Sequence, residues 1–168
     1  MKKKVKSPEK SFQNVCKDLH TVFGFLLILN VIAAVVVVIG SIGGFIDGTL
    51  IFWDYILMYM SSAIMITVFN YLRLIFKELK TSETPFCMEA SRRIQAVAQT
   101  FVIGGGVYWI SSIILHGLQY MNALSTNREE VPMDATGILY IIVGSIIWGI
   151  AYIFNYGSKL QQESDETI

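Results

Sequence analysis

The sequence contains few of the residues from which soluble domains and metal sites are built. Its 168 residues include two cysteines, two histidines and three prolines, and only 15% are charged. Cys16, Cys87, His20 and His116 are the only soft ligands, and the spans assigned below place the two histidines in opposite halves of a membrane, so we expect no structural metal. The formal net charge of zero provides no global basic field, which argues against direct nucleic-acid binding.

Catalytic patterns are missing as well. The sequence has no Glu-x-x-His motif, no aspartates paired at matched membrane depth and no evident Ser/His arrangement. We therefore predict a protein that is not an enzyme and that carries no cofactor.

Long apolar runs dominate what is present. Hydrophobic residues make up 54% of the chain, the mean hydropathy is +0.54, and residues 19–46 contain no Asp, Glu, Lys or Arg. Because about 20 apolar residues suffice to cross a bilayer, the sequence predicts an all-α integral membrane protein, a bundle of four transmembrane helices at 19–46, 50–76, 98–123 and 137–156. A cleaved signal peptide is the competing interpretation of the first run, which is longer than such a segment requires.

The basic residues predict the orientation. All lysines and arginines except Arg128 flank the start of the first span, the connection between the second and third, or the end of the fourth. The positive-inside rule then places residues 1–18, 77–97 and 157–168 in the cytoplasm and leaves 124–136 as an external loop. Both termini are expected on the cytoplasmic side.

The cytoplasmic connection has its own helical pattern. Thr84 and Pro85 are typical of a helix start, and an apolar face recurs at three- and four-residue spacing, formed by Phe86, Ala90, Ile94 and Val97. This predicts an interfacial helix along the inner leaflet, with Arg92 and Arg93 near lipid headgroups. Docking of a protein partner on this helix is the alternative.

Two ionisable residues fall within the spans. Asp54 and His116 are predicted at similar depths near the outer side and could pair as a proton- or ligand-responsive site. The alternative is that Asp54 reaches water while His116 makes an ordinary hydrogen bond between helices.

Other polar and small residues within the spans predict helix contacts. Asn30, Asn70 and Asn155 suit hydrogen bonds between helices. The glycine triplet at 104–106 and two small-xxx-small pairs suit close approach of helices, the pairs being Gly40 with Gly44 and Ser145 with Gly149. A hinge is the alternative for the triplet.

Two segments carry a resemblance to a known family. The chain ends in FNYGSKLQQESDETI, an acidic and polar tail, and TPFCMEASRRIQAVAQ follows the second span. Together they resemble the uncharacterised prokaryotic membrane family catalogued as domain of unknown function 2975, over essentially the whole chain. The matching positions are Pro85, Phe86, Arg92, Arg93, Gly157, Leu160, Gln161, Glu163, Asp165 and Thr167.

The resemblance implies a four-span protein of the prokaryotic inner membrane, with no established activity, encoded beside small helix-turn-helix regulators. It makes the matching positions candidates for contact with such a regulator. A sensor or anchor protein is then the leading expectation. An acidic tail can imitate phosphate charge towards a DNA-binding surface, a physical reason to consider sequestration. A small transporter, channel or immunity-type protein is the alternative, and homo-oligomerisation stays open.

Overall fold

All regular structure in the described part of the chain is helical. The computed structural model describes residues 8–46, 52–81, 88–126 and 134–166. These residues form four helices, α1 (Pro8–Ile46), α2 (Phe52–Leu79), α3 (Met88–Thr126) and α4 (Thr136–Glu166).

Each helix contains a segment long and apolar enough to cross a membrane. The segments are Phe12–Gly43, Tyr55–Leu79, Met88–Leu118 and Thr136–Ser164. The predictions of an all-helical chain and of four apolar spans are thereby confirmed.

The helices pack in chain order. Among the described residues, the backbones of α1 and α2, of α2 and α3, and of α3 and α4 lie close together, and no other pair does so. The α1–α2 contact includes Phe23 stacked on Phe76, with ring centroids 5.5 Å apart, and a hydrogen bond between Ser41 and Tyr59. The helix α1 therefore lies at the edge of the bundle, and most of its apolar side chains are exposed.

Glycines let α3 and α4 approach closely. A Cβ atom added at Gly105 would lie 2.7 Å from Tyr140 Cβ, and one added at Gly137 would lie 2.6 Å from Trp109 Cβ. Gly104 is similarly close to Ile64 of α2, whereas Gly106 faces open space. Close approach at the glycine triplet is thus confirmed for two of its three members.

The two small-xxx-small pairs do not form contacts within the described chain. Nothing lies within 4 Å of a Cβ added at Gly40 or Gly149, and Ser145 is exposed with its hydroxyl bonded to the carbonyl of Ile141. The prediction of helix contact is therefore wrong for Ser145 with Gly149 and for Gly40. The side-chain surroundings of Gly44 are outside the described residues.

The helices extend beyond several predicted boundaries. α1 begins at Pro8 instead of residue 19 and ends at Ile46, the predicted end of the first span. α4 continues to Glu166 instead of ending at 156. No proline interrupts these extensions after Pro8, so the backbone hydrogen-bond ladder continues into the polar flanks.

The expected interfacial helix is not a separate element in the described residues. α3 is continuous from Met88 to Thr126, and the side chains of Ala90 and Val97 are buried within the protein. The apolar face that predicted contact with lipid is covered by neighbouring helices, because the helix continues in line with the third span. Thr84, Pro85 and Phe86 lie outside the described residues.

Candidate functional site

Basic side chains collect at one end of the bundle. Consecutive helices run in opposite directions, so the start of α1, the end of α2, the start of α3 and the end of α4 share one side. We call this side the basic end; its described cations are Lys17, Arg73, Lys77, Lys80, Arg92, Arg93 and Lys159.

An ion pair joins α2 to α3 at the basic end. Arg93 Nη2 lies 2.5 Å from Glu78 Oε1 and 3.6 Å from Glu89 Oε1. The Arg93 and Glu78 side chains are only 21% and 27% exposed, so water screens their attraction less than it would at an open surface. The structure thus assigns Arg93 a packing role that its sequence pattern did not predict.

Arg92 has the opposite environment. Its side chain is 74% exposed, and its nearest carboxylate, Glu89 Oε2, lies 3.9 Å away. That separation exceeds hydrogen-bond length, so the pair is a weak surface contact. Of the two arginines predicted as contact residues, Arg92 is the one presented to the surroundings.

The tail is a helical extension of α4. Ser91 Oγ donates a hydrogen bond of 3.5 Å to the carbonyl of Ala151, which sets the register between α3 and α4. With this bond and the close contacts of Gly105 with Tyr140 and Gly144 with Phe101, Met88, the first residue of α3, is level with roughly residues 154–157, and α4 continues for about 13–18 Å beyond it at 1.5 Å per residue.

The side chains of this extension differ in exposure. Ser158 is buried although the tail is polar, and Gly157 and Gln161 are half-buried. Leu160, Glu163 and Glu166 are exposed. Asp165 lies on the helix, but its side chain is outside the described residues, and so is Thr167.

His20 connects α1 to α2 near the basic end. Its Nδ1 lies 2.9 Å from the backbone carbonyl oxygen of Arg73, which only accepts, so Nδ1 carries the proton in this contact. The Arg73 side chain passes beside Gly24, where a Cβ atom would lie 3.7 Å from Nε. His20 thus has a structural partner that the sequence analysis did not identify.

Potential metal ligands are dispersed in the described chain. Cys16 is a free thiol buried in the core, Cys87 lies outside the described residues, and no group of three or more His, Cys, Asp or Glu side chains comes together within the described ranges.

At the opposite end, Asp134 organises the start of α4. Its Oδ1 accepts hydrogen bonds from the Thr136 backbone N–H at 2.9 Å and from the Thr136 hydroxyl at 2.6 Å, and its Oδ2 accepts one from the Tyr108 hydroxyl of α3. Burial acts to raise the pKa of Asp134, but these hydrogen bonds outweigh it and hold the pKa below its ordinary value of 3.8. Asp134 therefore caps α4 as a carboxylate.

An aromatic cluster lies beside this cap. The Tyr140 ring sits 5.8 Å from Phe101 and 5.9 Å from Tyr108, measured between centroids. The Tyr140 hydroxyl forms a 2.7 Å hydrogen bond with Ser61 of α2. Through this bond α2 contacts α4 although their backbones are not close.

The structure leaves the predicted Asp54 and His116 pair untested. Asp54 lies in the first turn of α2, but its side chain is outside the described residues, and His116 is half-buried on α3. Their pairing stays a prediction.

The buried polar groups within the helices are not uniformly paired. Asn30 Oδ1 and Trp109 Nε1 are buried without a hydrogen-bond partner in the described chain. Asn70 is exposed and Asn155 half-buried. Asn30 was predicted to form a hydrogen bond between helices, but its side-chain carbonyl forms none with the described residues.

A groove of about 410 Å³ runs between α2 and α3. Its lining is mainly small or apolar and consists of Ala63, Ile64, Thr67, Tyr71, Ala96, Gln99, Thr100, Ile103 and Gly104. The hydroxyls of Thr67 and Thr100 bond to the carbonyls of their own helices, at Ala63 and Ala96. The groove is consequently open and mainly apolar, with the Tyr71 hydroxyl and the Gln99 amide as its other polar groups.

Comparison with known proteins provides no further assignment. No protein-family model, curated protein or solved structure matches the chain. The fold defines an all-helical protein with four helices suited to a membrane, which fits the multi-pass membrane class.

Proposed function

We propose that the chain is a multi-pass protein of the prokaryotic inner membrane, with both termini in the cytoplasm. The four apolar segments and the exposed apolar surface of α1 support insertion, because such a surface is stable in lipid and unfavourable in water. The cations at the basic end support a cytoplasmic location for that end.

We further propose that the protein is a non-enzymatic sensor or anchor whose α4 extension binds a cytoplasmic helix-turn-helix regulator. The observation that carries this proposal is the continuation of α4 beyond the start of α3, with Leu160, Glu163 and Glu166 exposed. A helix with exposed acidic and apolar side chains can present them in a fixed arrangement to a basic protein surface. The nature of the partner comes from the family resemblance.

Co-purification tests the proposal. The full-length tagged protein, extracted in mild detergent, is expected to retain the regulator encoded beside its gene. Truncation after Lys159, or charge reversal of Glu163, Asp165 and Glu166 together, should reduce retention at least about tenfold, since several charge contacts are lost together. Asp18→Lys is the matched control, because Asp18 is an exposed acid at the same end of the bundle but on α1.

Retention must be compared at equal membrane content. A tail variant that inserts normally and binds the regulator as well as the unmodified chain does would contradict the proposed contact. Loss of binding with Asp18→Lys as well would show a general charge effect instead of a site on α4.

A further inference from the structure

The face of α3 that lines the groove continues to Arg92, one helical turn before Ala96. Arg92, Ala96, Gln99 and Ile103 follow one another at four-, three- and four-residue spacing, so they share one face of α3. Three of them, Ala96, Gln99 and Ile103, line the groove. Glu89 lies one turn before Arg92 and Arg93.

The length of this face matches one leaflet of a bilayer. Eleven residues separate Arg92 from Ile103, which is about 16.5 Å along a helix. Half of the hydrocarbon thickness is about 15 Å. With the basic end at the membrane surface, the face from Arg92 to Ile103 spans the depth of one leaflet, and Arg92 reaches headgroup level because helical side chains lean towards the N-terminus.

The two charges at the end of the groove have capacity for further hydrogen bonds. Glu89 lies 3.9 Å from Arg92 and 3.6 Å from Arg93, both beyond hydrogen-bond distance. Arg92 is 74% and Glu89 54% exposed, whereas Arg93 is held by Glu78 at 2.5 Å. An accessible cation and an accessible carboxylate therefore lie 3.9 Å apart near the start of α3.

We propose that this groove binds a zwitterionic aminophospholipid of the phosphatidylethanolamine type. One acyl chain lies along Ala63, Ile64, Ala96 and Ile103, the phosphate accepts hydrogen bonds from Arg92, and the primary ammonium donates to Glu89. A phosphate accepts hydrogen bonds from a guanidinium, and a primary ammonium donates hydrogen bonds to a carboxylate. A quaternary ammonium has no N–H and cannot donate in this way. The proposal depends on insertion in a bilayer and not on binding of a regulator.

Lipid competition in nanodiscs tests the site. The intact protein is reconstituted in discs of equal phosphatidylethanolamine, phosphatidylcholine and phosphatidylglycerol content, then extracted gently, and the lipids that remain bound are measured by native mass spectrometry. We expect phosphatidylethanolamine to be retained about fivefold over phosphatidylcholine, the size of one exposed charge contact. Equal retention of these two, or preferential retention of phosphatidylglycerol, would overturn the proposal.

Three variants separate the parts of the site. Glu89→Gln should abolish the preference for ethanolamine over choline, and Arg92→Gln should lower retention of phosphatidylethanolamine about fivefold. Ala63→Leu, at an exposed position in the groove wall, should reduce retention of the bound lipid by filling the channel. Lys159→Gln is the control, an exposed cation at the same end but on α4, and should change nothing.

Helix content measured by circular dichroism shows whether each variant folds. Folded Glu89→Gln and Arg92→Gln proteins that retain the original lipid preference would refute the assigned contacts. A protein found without detergent in the soluble fraction would instead contradict insertion itself.

Discussion

Arg93 at the start of α3 and Glu78 at the end of α2 form an ion pair with a separation of 2.5 Å between Nη2 and Oε1. The pair joins the two helices that line the groove, and Glu89 adds a second, longer contact to Arg93. Because both partners are mostly shielded from solvent, removing one leaves the other with a poorly solvated charge.

Arg93→Met should therefore destabilise the fold. We expect a loss of about 1.5–3 kcal/mol in the free energy of unfolding, the range for a hydrogen bond to a charged group. Arg92→Met is the matched control and should change stability by less than about 1 kcal/mol, because its ion pair is exposed. Denaturation followed by circular dichroism in detergent checks this; equal losses for the two variants would contradict the assigned roles.

Gly137→Ala should force α3 and α4 apart. Its added methyl would lie 2.6–2.8 Å from the Cβ and backbone atoms of Trp109, which cannot move aside as a flexible side-chain end could. Overpacking of this kind costs about 1–3 kcal/mol. The measurement is the unfolding midpoint in detergent.

Gly106→Ala is the control for this prediction. Nothing lies within 4 Å of a Cβ at Gly106, so the variant should be neutral or gain up to about 1 kcal/mol from alanine's helix propensity. If Gly137→Ala proved as stable as Gly106→Ala, the close approach of α3 and α4 would be refuted.

The cap formed by Asp134 should make stability depend on pH in the acid range. Its folded-state pKa lies below the ordinary value of 3.8, so the ionised carboxylate stabilises the fold above about pH 4. That contribution is lost as the pH falls through the folded-state pKa, when Tyr108 and Thr136 lose a charged acceptor.

Asp134→Asn isolates this contribution. The unmodified chain should be more stable than the variant near pH 6, and the difference in unfolding free energy should shrink as the pH is lowered below about 4. A difference that stays constant across this range would contradict an ionised cap.

Flux measurements address the transporter or channel alternative. A pore using Asp54 and His116 requires that ion or solute flux in proteoliposomes fall with Asp54→Asn and His116→Ala. We expect these variants to leave flux at the background of empty liposomes, as for the unmodified chain. Flux above background that both substitutions abolish would favour the alternative and contradict a purely interacting protein.

Much of the fold could be predicted because apolar run length is a local property. Three of the four predicted spans lie within the helix that carries them, and the second, 50–76, begins two residues before α2. The helix ends were less predictable, since a polar sequence at 157–166 continues α4 as readily as it would form a loop. Packing decides such ends, and the burial of Ser158 could not be read from its neighbours in the sequence.

The site was less predictable than the fold. Arg92 and Arg93 are adjacent and equivalent in the sequence, but Arg93 faces Glu78 and Arg92 faces outward because consecutive helical positions differ by about 100°. The two arginines differ because α3 is rotated about its axis so that Arg93 faces α2. That rotation depends on packing and cannot be read from the sequence. Asp134 carried a local signal, an acidic residue two positions before Thr136 at a helix start, but its contact with Tyr108 depends on tertiary structure.

The central claim is that four apolar helices cross a bilayer with the basic end in the cytoplasm. A fluorescent protein fused after Ile168, which matures only in the cytoplasm, and an alkaline phosphatase fused at the same place, which is active only outside it, test this claim in parallel. The account predicts a fluorescent membrane-bound fusion and an inactive phosphatase. An active phosphatase, a dark fluorescent fusion, or a protein recovered from the soluble fraction would contradict it.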